Sequence, residues 1–136
     1  MDEDTTILSR PTILIVDDDW LNRELVEGLL NIAGYIVIQA SSGKKALEFL
    51  NKQIPDAVIM DVRMPDMNGY ELCKLLRKNE RMFALPVVMV SAANSMDDIM
   101  QALDSGADDF ISRDSLTQEL AARINALLRR NRRASP

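Results

Sequence analysis

The feature that most constrains the fold of this 136-residue sequence is a fivefold alternation of short apolar runs with amphipathic segments. The apolar runs are short and contain many β-branched residues, which is typical of buried strands. In the segments between them apolar residues recur at helical spacing, as Leu21, Leu25 and Leu29 do. Apolar strands that alternate with amphipathic helices predict an α/β fold, with a parallel sheet covered by helices on both faces. The predicted strands are 12–16, 35–40, 57–60, 87–90 and 110–111.

The length allows one domain with a sizeable core, which we expect at residues 11–130. Residues 1–10 are then an N-terminal extension, and residues 131–136 a C-terminal tail or the start of a linker. No apolar run approaches the roughly 20 residues of a membrane-spanning helix, so no membrane contact is expected. The acidic start is unlike a secretory signal, and a lone cysteine, Cys73, fits a reducing compartment. We therefore expect a cytoplasmic protein, with Cys73 filling the core.

Net charge and histidine content exclude several classes of function. The net charge of −5 makes the domain as a whole a poor partner for nucleic acid. The arginines gathered between positions 129 and 133 are interpreted as a solvated helix end or linker. The absence of histidine removes Ser-His and Cys-His nucleophile pairs, histidine zinc ligands and any internal phosphohistidine. Any phosphohistidine chemistry here needs a histidine from another protein.

Polar side chains close four of the five predicted strands. Carboxyl ends of parallel strands form one rim, where ligands bind in such folds. Carboxylates that meet there repel each other unless a cation lies between them, and hard oxygen ligands without histidine or cysteine favour Mg2+. Carboxylates, a magnesium ion, a hydroxyl and a basic group together suit the handling of a phosphoryl group. The residues are the aspartates at 17–19, Asp61, Ser91 and, after the fifth strand, Arg113.

Each of these residues also has an ordinary structural interpretation. Asp18 or Asp19 could do no more than cap the following helix. Asp61 could be a turn residue, Ser91 a strand end and Arg113 a surface charge. The functional interpretation rests on their coincidence at one predicted rim.

Four motifs in order resemble the response regulator receiver family of two-component signal transduction. The resemblance covers about residues 11–130 and implies a doubly wound, flavodoxin-like fold with strand order 2-1-3-4-5 and five helices. The motifs are Ile-Leu-Ile-Val-Asp-Asp-Asp at 13–19, Met-Asp-Val-Arg-Met-Pro-Asp-Met-Asn-Gly-Tyr-Glu-Leu at 60–72, Val-Val-Met-Val-Ser-Ala at 87–92 and Gly-Ala-Asp-Asp-Phe-Ile at 106–111.

The same resemblance implies the chemistry of the site. Asp61 is then the phosphoacceptor, and its donor is a sensor histidine kinase or a phosphotransfer protein. Asp17 and Asp18 would hold Mg2+ together with Asp61 and the backbone carbonyl of Arg63. No general base is needed, since a carboxylate is already ionised. The domain is then not an enzyme but a phosphoacceptor, with at most slow self-dephosphorylation.

The resemblance further implies a switch. Ser91 matches the hydroxyl that bonds a phosphoryl oxygen, and Phe110 matches the aromatic position coupled to it. Repacking of Phe110 would change the face made by the fourth helix, the fifth strand and the fifth helix, through which a homodimer is also expected.

The sequence departs from the family at Arg113 and Asp114, where a lysine and a proline are usual. Arginine keeps the charge but has a wider, planar head, so the replacement is not conservative. The family's lysine–proline peptide is commonly cis, whereas a peptide without proline should be trans. That leaves Arg113 free to point away from the pocket. The departure motivates an alternative function, an interaction module that works without phosphorylation.

Two enzyme classes on similar folds fit less well. A haloacid-dehalogenase-type phosphatase needs a second aspartate two residues after the nucleophile, where this chain has Arg63. A flavodoxin needs a Ser/Thr- and Gly-rich phosphate loop after the first strand. The aspartates at 17–19 stand there instead and would repel a flavin phosphate.

Overall fold

Five parallel strands and the helices that connect them account for most of the chain. The computed structural model describes residues 10–92 and 94–134. Of the expected extension 1–10 only Arg10 is described, and residues 135–136 of the expected tail also lie outside the described part. The described part of that tail is helical, because the last helix continues through Ala134. The elements are β1 (Thr12–Val16), α1 (Trp20–Ile32), β2 (Ile36–Ala40), α2 (Gly43–Lys52), β3 (Ala57–Asp61), α3 (Gly69–Arg77), β4 (Val87–Ser91), α4 (Met96–Asp104), β5 (Asp109–Ser112), a 3-10 turn (Arg113–Ser115) and α5 (Leu116–Ala134).

The strand order is β2-β1-β3-β4-β5, and all four neighbouring pairs are parallel. The order that the family resemblance implies is therefore confirmed, together with the doubly wound α/β class. Asp61 pairs with Val90, and Ser91 pairs with Ser112. This register places the carboxyl ends of β3, β4 and β5 at one rim of the sheet.

The two faces of the sheet bury separate apolar clusters. On β1, Leu14 faces the cluster that α2, α3 and α4 cover, whereas Ile13 faces the cluster that α1 and α5 cover. Side chains alternate in this way along a strand, so a strand covered on both faces must be apolar throughout. Burial on both faces explains the continuous apolar runs. Cys73 is fully buried in the first cluster, which confirms its expected place in the core.

Side-chain caps fix where the helices begin. Ser42 accepts a hydrogen bond from the Lys45 N–H at the start of α2. At α4, Ser95 and Asp98 form the reciprocal capping box that their spacing predicts. The longest described helix, α5, is too polar to be a membrane span, and no other helix in the described part of the chain qualifies.

Arg77 forms hydrogen bonds to the loops at the other end of the sheet from that rim. Its guanidinium donates to the Gly106 carbonyl at 2.8 Å, to the Leu85 carbonyl at 2.7 Å and to Asp108 at 3.0 Å. Gly106 has φ of +108°, and a Cβ there would lie 2.7 Å from Arg77 Cγ, so glycine is required for this close approach. One side chain thus links α3 to the loops that enter β4 and β5.

Candidate functional site

Three carboxylates meet at the predicted rim. Asp17, Asp18 and Asp61 each offer an oxygen atom, and these atoms lie within 4.8 Å of one another. Asp17 is 6 % exposed and Asp61 is 9 % exposed, while Asp18 faces solvent. Hard carboxylate oxygens that converge at this spacing fit Mg2+, which binds through few carboxylates and keeps several waters. The convergence expected from the strand ends is confirmed.

The three consecutive aspartates after β1 have different contacts. Asp17 Oδ1 accepts a hydrogen bond from the Asp19 N–H at 2.9 Å, and the Asp17 backbone carbonyl accepts one from Arg23 Nη1 at 2.8 Å. Asp19 caps α1, because its Oδ1 accepts from the N–H groups of Leu21 and Asn22. Of the two aspartates that could cap this helix, Asp19 does so. Asp18 instead lies beside Asp17 and Asp61.

A tight backbone turn holds Asp61 in place. The Val62 N–H donates to the Val90 carbonyl at 3.2 Å, and the Gly69 N–H donates to the Val62 carbonyl at 2.8 Å. A Cβ on Gly69 would lie 2.5 Å from the Asp61 carbonyl oxygen. Because that neighbour is backbone, Gly69 is required for the start of α3 to pack against the end of β3.

Arg113 points into the site, where its position after the fifth strand places it, and not away from the pocket. Its Nη2 lies 3.2 Å from Asp61 Oδ1, and its Nη1 lies 3.7 Å from Asp17 Oδ2. Residues 10–92 and 94–134 contain no cis peptide, so the predicted trans geometry holds at Arg113. The 3-10 turn begins at Arg113 on the rim, where two nearly buried carboxylates attract the guanidinium.

Burial governs the electrostatics of the carboxylates. The pKa of Asp61 is raised to about 6, first by burial and then by the nearby Asp17, while Arg113 and the backbone N–H groups of Arg63 and Val62 oppose the shift. Burial likewise raises the pKa of Asp17, against the opposing effects of the Asp19 N–H and Arg113. The fold therefore disfavours the charged form of both groups, so a neighbouring cation stabilises the site.

Ser91 and Phe110 lie on the same face of the sheet, near the rim. Ser91 ends β4 and is buried. It lines a cavity of about 370 Å³ together with Asp61, Arg63 and Arg113. Phe110 is buried in the cluster under α4, two residues before the partner of Ser91 in the strand register. The structure thus brings every predicted site residue to this end of the sheet.

Two further residues support the site and were not predicted from the sequence. Arg23 Nε donates to Gln39 Oε1 at 2.8 Å, in addition to its bond to the Asp17 carbonyl. Asp66 accepts hydrogen bonds from the N–H groups of Gly43 and Lys44. Gln39 lies 16 residues from Arg23 and Gly43 lies 23 residues from Asp66, so no local pattern indicated these two contacts.

The sequence is similar to those of known response regulators. Residues 13–125 match the model of the response regulator receiver domain. A DNA-binding dual master transcriptional regulator of Synechocystis sp., RpaA, is 40% identical over 123 residues, which cover 90% of this chain and 51% of that protein. The transcriptional regulatory protein AfsQ1 of Streptomyces coelicolor is 36% identical over 92% of this chain and 54% of its own length.

Solved structures show the same likeness. The receiver domain of Francisella response regulator 1452 superposes with a TM-score of 0.83 at 31% identity, covering 90% of this chain and 99% of that one. The chemotaxis response regulator CheY4 of Vibrio cholerae gives a TM-score of 0.82 at 28% identity, with 88% and 99% covered. The chain thus aligns with nearly the full length of these two solved chains, but spans about half the length of the two transcriptional regulators.

Proposed function

The chain belongs to the response regulator receiver domain family, and we propose that Asp61 accepts a phosphoryl group from a partner histidine kinase or phosphotransfer protein. The observation that carries this proposal is the convergence of Asp17, Asp18 and Asp61 beside the Arg113 guanidinium. The chain contains no histidine, so the donor histidine belongs to the partner.

The proposed step needs a nucleophile and charge stabilisation. An Asp61 carboxylate oxygen attacks the phosphorus of the partner's phosphohistidine; the new O–P bond forms as the P–N bond breaks, and its electron pair returns to the imidazole nitrogen. The pKa of about 6 keeps much of Asp61 ionised at neutral pH. Arg113, 3.2 Å from Asp61 Oδ1, opposes the negative charge of the phosphoryl oxygens.

The residues that would hold Mg2+ are the three carboxylates and the backbone carbonyl of Arg63. When bound, Mg2+ neutralises charge on the transferring oxygens. Asp17 and Asp18 would serve the metal alone, whereas Asp61 would both bind the metal and accept the phosphoryl group. The product is an aspartyl phosphate, and its hydrolysis is at most slow, so the domain acts as a switch rather than as an enzyme.

The switch proceeds through Ser91 and Phe110. The Ser91 hydroxyl donates to a phosphoryl oxygen, and Phe110 repacks beneath α4. The face made by α4, β5 and α5 then changes and forms a homodimer. An apolar stripe on α4 supports this, because Met96, Met100 and Leu103 are all exposed there.

The domain transmits this signal in the cytoplasm, without itself contacting nucleic acid or membrane. A net charge of −5 supports the first exclusion. DNA binding is a property named for RpaA, of which this chain matches about half. The output is therefore proposed to lie with another domain or a partner protein.

Acetyl phosphate or phosphoramidate with Mg2+ tests the proposal. We expect the protein to gain one phosphoryl group by intact mass spectrometry, and to gain none when EDTA replaces Mg2+, because the buried carboxylates need a cation before they can accept a dianion. Absence of label with Mg2+, or equal label with EDTA, contradicts the proposal.

The alternative function is an interaction module that docks its partner without phosphorylation. It is favoured by the Arg113 contacts, since the guanidinium already offsets part of the negative charge of Asp61 and Asp17. Beryllofluoride with Mg2+ separates the two functions. For a switch we expect amide chemical shifts to change along α4 and β5 by NMR. Beryllofluoride binding without any such change supports the module instead.

A further inference from the structure

The loop between β3 and α3, residues 62–68, is fastened to the start of α2. Asp66 Oδ2 accepts from the Lys44 N–H at 2.8 Å, and Asp66 Oδ1 accepts from the Gly43 N–H at 3.2 Å. These N–H groups belong to the first turn of α2, where they lack partners within the helix. A Cβ on Gly43 would lie 2.5 Å from Met67 Cγ, so Met67 packs directly on the same helix end. We call these contacts of Asp66 and Met67 with Gly43 and Lys44 the loop clamp.

The same loop carries groups that serve the acceptor site. Its backbone N–H groups at Arg63 and Val62 face the Asp61 carboxylate and lower its pKa. The carbonyl of Arg63 is the backbone group proposed for Mg2+. The two ends of the loop are joined by the hydrogen bond from the Gly69 N–H to the Val62 carbonyl. Asp66 lies midway between Arg63 and Gly69, so the loop clamp fixes the span that neither end restrains.

We propose that Asp66 is a positioning residue for the acceptor site, which acts by holding the Arg63 backbone in place through the loop clamp. Its relevance to phosphoryl acceptance rests on the proposed function. Asp66 is exposed and is not one of the carboxylates that converge at the rim, so it acts through the loop and not as a ligand. Groups that orient ligands commonly affect metal affinity by about tenfold or more when removed.

A matched control exists at the same helix end. Ser42 caps α2 by accepting from the Lys45 N–H at 3.1 Å and forms no part of the loop clamp. Ser42→Ala therefore weakens the start of α2 without releasing the loop. Asp66→Ala releases the loop and leaves the Ser42 cap in place. Asp66→Asn removes the charge but keeps an amide oxygen that accepts one of the two hydrogen bonds.

The test is Mg2+ titration of the wild type and the three variants, followed by amide chemical shifts. We expect Asp66→Ala to weaken Mg2+ binding by about tenfold, with Asp66→Asn in between. Ser42→Ala should weaken it by less than about twofold, because it costs helix stability alone. In the absence of Mg2+, hydrogen exchange at the Arg63 amide should be faster in Asp66→Ala and unchanged in Ser42→Ala.

Three outcomes overturn the inference: unchanged affinity in Asp66→Ala, equal weakening in Ser42→Ala, or equal weakening in the asparagine and alanine variants. The last assigns the effect to charge rather than to the loop clamp. A wild type that binds Mg2+ but takes no label contradicts the proposed function. If Asp66→Ala still binds Mg2+ more weakly in that case, the loop clamp is supported.

Discussion

Replacing Asp61 by asparagine should abolish phosphoryl uptake and at the same time make the metal-free protein more stable at neutral pH. Uptake is lost because the amide oxygen is not the ionised nucleophile that the step needs. Stability rises because folding buries the charged Asp61 carboxylate and brings it close to Asp17, and both effects cost free energy. The gain should be about 1–3 kcal/mol at pH 7, from the shift of the pKa from 3.8 to about 6.

The pH dependence gives this prediction a sign that can be checked. The folded pKa of Asp61 lies above its ordinary value, so the wild type loses stability as pH rises from 3.8 through about 6. The advantage of Asp61→Asn should therefore be full above pH 6 and disappear below pH 4. Urea denaturation in EDTA at pH 4 and pH 7 measures it. Asp18→Asn is the control, since Asp18 is exposed and should gain less.

An Asp61→Asn variant that still accepts the phosphoryl group contradicts the assignment of the nucleophile. One that is unlabelled and also less stable at pH 7 contradicts the electrostatic argument and leaves loss of folding as the explanation. Labelling and stability together thus distinguish loss of the nucleophile from loss of folding, since a protein that has lost its fold does not become more stable.

The residues at the ends of the strands were predictable from the sequence. The residues that make long-range contacts between loops were not. Asp17, Asp61 and Ser91 follow continuous apolar runs, so the strand pattern alone placed them at one rim. Strand order came from the family resemblance, because a strand–helix alternation is compatible with several orders. Arg77, by contrast, contacts the Gly106 carbonyl 29 residues away, and such a contact exists only once the sheet has assembled.

The sequence left the direction of the Arg113 side chain open, and the structure shows what decides it. The missing proline favours a trans peptide at this position, and the peptide is trans. The backbone alone does not orient the side chain, whereas Asp17 and Asp61, which are nearly buried, attract the guanidinium from the turn that follows β5. Electrostatics decides the side-chain direction even though the backbone differs from the family pattern.

Replacing Arg113 by alanine should destabilise the metal-free protein at pH 7 and tighten its binding of Mg2+. Loss of the cation leaves two nearly buried carboxylates without a counterion. The cost should be about 1–3 kcal/mol, below that of a fully buried pair because the Arg113 side chain is 25% exposed. Mg2+ competes with Arg113 for the same oxygens, so its affinity should rise by about 3- to 10-fold, or about 1 kcal/mol.

The sign of the pH dependence again follows from the carboxylates. Arg113 lowers the pKa values of Asp17 and Asp61, so its removal raises both. The destabilisation should be largest above pH 7 and fade as pH falls and the carboxylates take up protons.

Arg113→Lys is the matched control, since it keeps the charge without the planar head. Denaturation across pH and Mg2+ titration of all three proteins measure these effects, and equal stability of Arg113→Ala and wild type at pH 7 contradicts the ion-pair argument. If Arg113→Lys matches wild type in both measurements, charge alone suffices at this position, and the arginine is then no obstacle to a phosphorylation switch.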